Sequence, residues 1–222
     1  MATPDFNKAA SQAVRVLLKY DVNRVPVYPH QIIQKCDNTA LINFSQFANQ
    51  LHEDRSTIIE HLKNGNDTAT TIVKKQSDGE PFYICVYNRE KEFCQIRFAL
   101  SIELGHRALG HLGFREDSVR HDEAWCFARH LLYPRAFIRL CQEHGMPLTE
   151  ENLVSIDGWH GRYIRELVNA HPTNVPAELN RELKARMKPY VDELFDNNLV
   201  NMNVGENDNL LDLSSYMTGY KD

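Results

Sequence analysis

The chain has 222 residues, 42% apolar and 25% charged, with a net charge of −5, which suits one filled core or at most two small domains of a globular protein. No apolar run approaches the ~20 residues needed to span a bilayer, and the acidic balance argues against direct nucleic-acid binding, which needs clustered Lys and Arg. The densest basic stretch, Arg181 to Lys188, alternates with apolar residues and reads as the wet face of a helix.

A first helix is expected from Thr3-Pro4, a cap followed by proline, with Ala10, Ala13, Val14, Leu17 and Leu18 on one face. After the rigid crossing Pro26 to Pro29 a second helix starts, with Ile32, Ile33 and Cys36 facing inward. Leu41 to Phe44 fits a short strand, and Glu53 to Lys63 a helix stopped by Asn64-Gly65. Thr70–Lys74 and Phe82–Tyr87, rich in β-formers and separated by Ser77-Asp78-Gly79, form a hairpin. Helical periodicity then covers 92–111, 118–132, 135–144, 160–170 and 176–197, broken at Gly113, Pro134, Gly145-Met146-Pro147 and His171-Pro172, with Pro189 inside the last helix. The fold class that results is α+β: a small mixed or antiparallel sheet packed against a helical bundle. The polar segment after Val200 is expected to be mobile. Five scattered cysteines without a CxxC pair indicate reduced, buried thiols, and the start of the chain lacks a secretion signal, so the chain reads as cytoplasmic.

The chemistry concentrates in the helix from Arg97 to His111. In the zinc-peptidase motif HExxH, two histidines at i and i+4 meet one ion from the same helix face, and the intervening glutamate takes a proton from the metal-bound water. Here Glu103 and His106 hold the second and fifth positions, and the first is Ile102, which has no lone pair for a metal. Alone, an ExxH pair is weak, since chance supplies about one in a chain of this composition. The following helix opens with Asp122-Glu123-Ala124 and closes with Leu131-Leu132-Tyr133-Pro134, placing Glu123 where a further ligand is normally supplied. Outside that context His106 reads as a core histidine and Glu123 as a residue favouring the helix dipole.

Together the two helices resemble those of the ImmA/IrrE family of metallopeptidases, which pairs an RFTLAHELGHxxLGH-type helix with an EAxxFAxxLLxP-type helix. The matching residues are Arg97-Phe98, Leu100, Glu103-Leu104-Gly105-His106, Leu109-Gly110-His111, Glu123-Ala124, Phe127-Ala128, Leu131-Leu132 and Pro134. Looser likeness at Leu17 to Tyr20, Val25-Pro26-Val27 and Tyr83 to Asn88 extends it over roughly residues 8–140. The resemblance implies a zincin-like bundle and a division into a metallopeptidase-like domain over 1–145, a helical extension of the same domain over 146–199, and an acidic tail over 200–222. It implies Glu103 as the general base and His106 and Glu123 as zinc ligands, in cytoplasmic proteins of bacteria or prophages that inactivate helix-turn-helix repressors.

Ile102 departs from the pattern. Shared out over four ligands, the stability of a zinc site loses about a hundredfold in affinity with one of them. Ser101 is a poor substitute ligand. His111, about 140° from His106 on an ideal helix, faces elsewhere unless the chain unwinds at Gly110, and His121 could swing in from the loop. Two functions follow: a pseudo-peptidase that binds a regulatory protein without zinc, or an active metalloendopeptidase with a rearranged site. A third, an interaction subunit using helices 135–197, would exploit the stripe Leu179, Leu183, Met187, Val191 and Leu194, although such stripes usually pack within their own chain. Trp125 and Phe127 read as core aromatics, His130 as a partly exposed helix residue, and Trp159-His160 has no evident partner.

Overall fold

A computed structural model describes residues 2–62, 68–111, 118–157 and 171–197. The chain divides into two compact units. One comprises Tyr28–Trp125; the other comprises Thr3–Val27 and the described residues from Cys126 onward. The architecture is α+β, helices with one small three-stranded mixed sheet. Among the described residues no helix is long and apolar enough to cross a membrane.

The Tyr28–Trp125 unit holds the sheet. Strands β1 (Thr39–Asn43), β2 (Ala69–Lys75) and β3 (Pro81–Tyr87) lie in the order β1-β3-β2. The expected hairpin is present, with β2 antiparallel to β3 and Thr71 opposite Cys85; β1 adds to the other side of β3 in parallel, with Leu41 opposite Cys85. Alternation along a strand sends neighbouring side chains to opposite faces. Val86, with the partly buried Ile42, Ile72 and Ile84, packs on one face against Phe44, Phe47, Ala48 and Ile58. The last four come from helices α3 (Phe44–Leu51) and α4 (Arg55–Leu62). Thr71 and Cys85 belong to the other face, where helix α5 (Phe93–Leu109) packs on β2 and β3.

Helix α2 (Pro29–Gln34) buries Ile32 and Ile33 and packs on α5 and β1. Helix α4 matches the helix expected from Glu53, and α3 is an addition ahead of it that takes Phe44 from the expected strand. The start of α3 is fixed by a reciprocal capping box: Asn43 Oδ1 accepts the Gln46 N–H, and Gln46 Oε1 accepts the Asn43 N–H, both at 2.9 Å. The expected stop at Asn64-Gly65 lies outside the described residues, as do the break at Gly113, the helix over 160–170, Trp159-His160 and the acidic tail.

In the other unit, helix α1 (Phe6–Lys19) starts later than Thr3-Pro4 because Asp5 supplies the cap, its carboxylate accepting the Lys8 N–H at 2.9 Å. Ala10, Ala13, Val14 and Leu17 are buried as expected. Helix α6 (Ser118–Leu132) is followed by α7 (Arg135–Glu143), by α8 (Glu150–Asp157) and by α9 (Ala177–Asp196). Helix α8 is a further addition to the expected elements; Thr149 Oγ1 accepts the Asn152 N–H at its start. In α9 the residues Leu183, Met187 and Val191 are buried at four-residue spacing, and the helix packs on α7 and α1. These three of the five stripe residues belong to the core, while Leu179 and Leu194 are half-buried.

His130 corrects the expectation of partial exposure: it is 2% exposed. Its Nε2 lies 3.1 Å from the Thr173 hydroxyl, which also accepts from Arg135, while the Thr173 carbonyl accepts from Arg135 at 2.9 Å. Burial, helped by Arg135 and Arg129, holds the His130 ring neutral well below its usual titration range. Phe127 is fully buried. All five cysteines are buried thiols outside any disulfide; burial raises Cys85 strongly and pushes Cys141 up to about 12.

Candidate functional site

Helix α5 positions the motif residues. Ile102 is 4% exposed, a core side chain. Ser101, the adjacent hydroxyl, is fully buried and donates to the Arg97 carbonyl four residues back at 2.8 Å, so its proton is spent inside the helix. Glu103 turns to the sheet. Its carboxyl accepts from the side chain and the backbone N–H of Thr71, and burial outweighs those bonds and raises it to about 7. Since β3 occupies one side of β2, an N–H of Thr71 given to Glu103 belongs to the outer edge of the strand. Thr71 as the partner of Glu103 carries no local signal in the sequence, because the pairing depends on how α5 crosses the sheet.

His106 meets His111, not a helix-face partner at position 102. The reason is the end of α5. Gly110 adopts φ 73° and closes the helix; its N–H bonds to the Arg107 carbonyl at 3.2 Å, and the His111 N–H reaches the His106 carbonyl at 2.9 Å. This is the Schellman arrangement, in which the second residue beyond the helix folds back over the residue five positions earlier. The angle of an ideal helix therefore does not apply to His111. Its Nδ1 lies 3.0 Å from Nδ1 of His106, with ring centroids 5.2 Å apart. On its other side, Nε2 lies 2.9 Å from Oε2 of Glu123 on α6. Gly110-His111, four and five residues after a helical histidine, was the signal that could have found this contact.

The three groups thus form a chain, Glu123–His111–His106. The Glu123 carboxylate accepts the Nε2–H of His111, and one proton lies between the two facing Nδ1 atoms, carried by one ring and accepted by the other. Burial, with His111, His121 and Arg120 nearby, lowers His106 to about 4, so its ring is neutral at pH 7. His121 is exposed, with its ring centroid 6.4 Å from that of His106 and 5.8 Å from that of Trp125. Trp125 is half-buried, short of the core position expected for it, and packs edge-on against Phe98 at 4.7 Å.

Two imidazoles and a carboxylate are the chemistry of a zinc donor set. Their arrangement does not fit one ion. Zinc bonds of ~2.0–2.2 Å hold two donors no more than about 4 Å apart, whereas a whole imidazole with a hydrogen bond on each side separates His106 from Glu123. Among the described residues no group of three His, Cys, Asp or Glu side chains is arranged to hold a metal. What the arrangement does provide is a neutral histidine held between hydrogen-bonding groups and a half-buried carboxyl beside β2.

No protein-family model, no curated protein and no solved structure matches this chain.

Proposed function

We propose that this chain is an ImmA/IrrE-like protein of the metallopeptidase fold that has lost hydrolysis and acts by binding a regulatory protein, a phage or mobile-element repressor of the helix-turn-helix type. The observation that most supports this function is the pair of changes at the motif: a buried isoleucine at position 102, and an imidazole between the two remaining ligand positions. Without three donors turned to one point, no ion is held on three sides and no water is acidified. The net charge of −5 complements the basic surface that a DNA-binding repressor must carry.

The test has two arms. Protein purified without chelator is analysed for zinc, and Glu103→Gln is compared with the wild type in a reporter strain controlled by the repressor. The expected result is no stoichiometric zinc, equal derepression by both proteins, and a repressor that stays full length. Repressor fragments, or an intact Glu103→Gln protein without effect, would sink the proposal. A second function, a metalloendopeptidase with a rearranged site, is favoured by the nearness of His111 and His121 to His106. One metal per chain, lost with His106→Ala, would support it.

A further inference from the structure

We infer that the imidazole of His111 stands in for the missing ion, joining His106 to Glu123 and thereby closing the site to metal. This rests on the proposal that the chain is a peptidase-like protein without its metal. In a metal site, one ion ties a donor on one helix to a donor on the next. Here α5 and α6 are tied by a ring that uses both its nitrogens, Nδ1 toward His106 at 3.0 Å and Nε2 toward Glu123 at 2.9 Å. The ring is held there by backbone geometry, through the positive φ of Gly110 and the His111 N–H bond to the His106 carbonyl. The His111 and Glu123 side chains are only 9% and 13% exposed, so the link sits largely out of water, where a hydrogen bond to a carboxylate is stronger than at the surface.

It follows that the loss of the ligand at position 102 is only half of the change. Restoring a histidine there returns a donor, but zinc must still break two hydrogen bonds and evict a ring. Removing His111 as well should open the site. The double substitution is therefore expected to bind zinc at least about thirtyfold more tightly than Ile102→His alone, the worth of one neutral and one charge-assisted hydrogen bond.

The experiment is zinc titration calorimetry at neutral pH on the full chain in four forms: wild type, Ile102→His, His111→Ala, and the double variant. One zinc per chain in the double variant, weaker binding in Ile102→His, and none in wild type or His111→Ala supports the inference. Equal or weaker affinity in the double variant than in Ile102→His overturns it, while leaving the metal-free function standing. Stoichiometric zinc in the wild type that is lost in His111→Ala overturns both. If the variants fail to fold, nitrogen NMR of the wild-type histidines decides the question. His111 with both ring nitrogens hydrogen-bonded, and a proton shared between its Nδ1 and Nδ1 of His106, supports the link; a His111 ring with either nitrogen facing water overturns it.

Discussion

Replacing Glu103 by glutamine keeps the shape of the side chain and a carbonyl to accept the Thr71 bonds, and removes only the ability to ionise. In the folded chain the Glu103 carboxyl gives up its proton near pH 7, against 4.5 in its ordinary state. Below pH 4.5 the folded and unfolded chains both carry the proton, and the group has no effect on stability. Between 4.5 and 7 the folded chain binds more protons, so stability falls as pH rises; above 7 the full penalty persists. At about 1.4 kcal/mol per pH unit, the advantage of Glu103→Gln over the wild type should grow from about 1 kcal/mol at pH 5 to about 3 kcal/mol at pH 8. His106, lowered to about 4, has the opposite slope, losing stability as pH falls below about 6.5. It is present in both proteins, so it cancels in the difference. Urea unfolding of the two proteins across this range reads the effect directly. A difference that stays flat with pH, or a wild type that gains on the variant toward pH 8, would falsify the burial of Glu103 against the edge of β2.

Three further substitutions test the surroundings. Gly110→Ala meets no neighbouring atom within 4 Å, so its effect is conformational: a loss of about 1 kcal/mol accompanied by disturbed His106 and His111 resonances. Unchanged resonances would dissociate the contact from the turn. Thr173→Val removes the hydroxyl shared by His130 and Arg135 and should lower stability by about 1–3 kcal/mol, read from the urea midpoint; a change under about 0.5 kcal/mol would argue that the hydroxyl supports neither. Met187→Ala, at a fully buried position, should cost about 2–5 kcal/mol. A monomer that merely changes its association state, with unfolding unaffected, would contradict the assignment of Met187 to the core.

Local signals were legible and long-range ones were not. The turn Ser77-Asp78-Gly79 between two β-rich runs sufficed for the β2–β3 hairpin, because both strands and the turn lie within twenty residues. The parallel partner of β3 is about forty residues upstream, and nothing local to Thr39–Asn43 specifies parallel pairing. Helix α3 has Asn43 and Gln46 at capping-box spacing as its sequence signal, and its eight residues carry little periodicity beyond that. Helical periodicity sufficed to place Glu103 and His106 on α5 and Glu123 on α6. His111 depended on whether the helix ends at Gly110: the backbone reverses its hand there, and the alternative in which His111 turns back to His106 is the one the structure shows. The partial exposure expected for His130 gave way to Thr173, forty-three residues later, which supplies the polar partner that makes its burial tolerable.

The buried thiols lend themselves to a use of their own. A native sulfur that stays protonated at neutral pH is a poor nucleophile, so a thiol reagent can modify Cys85 or Cys141 only when the chain around it opens. Cys85 belongs to the sheet-bearing unit and Cys141 to the other. Mass-resolved alkylation in the absence of denaturant would therefore run two clocks in one molecule, one for each unit. Equal rates would indicate that the units open together, and unequal rates that one can loosen while the other stays closed.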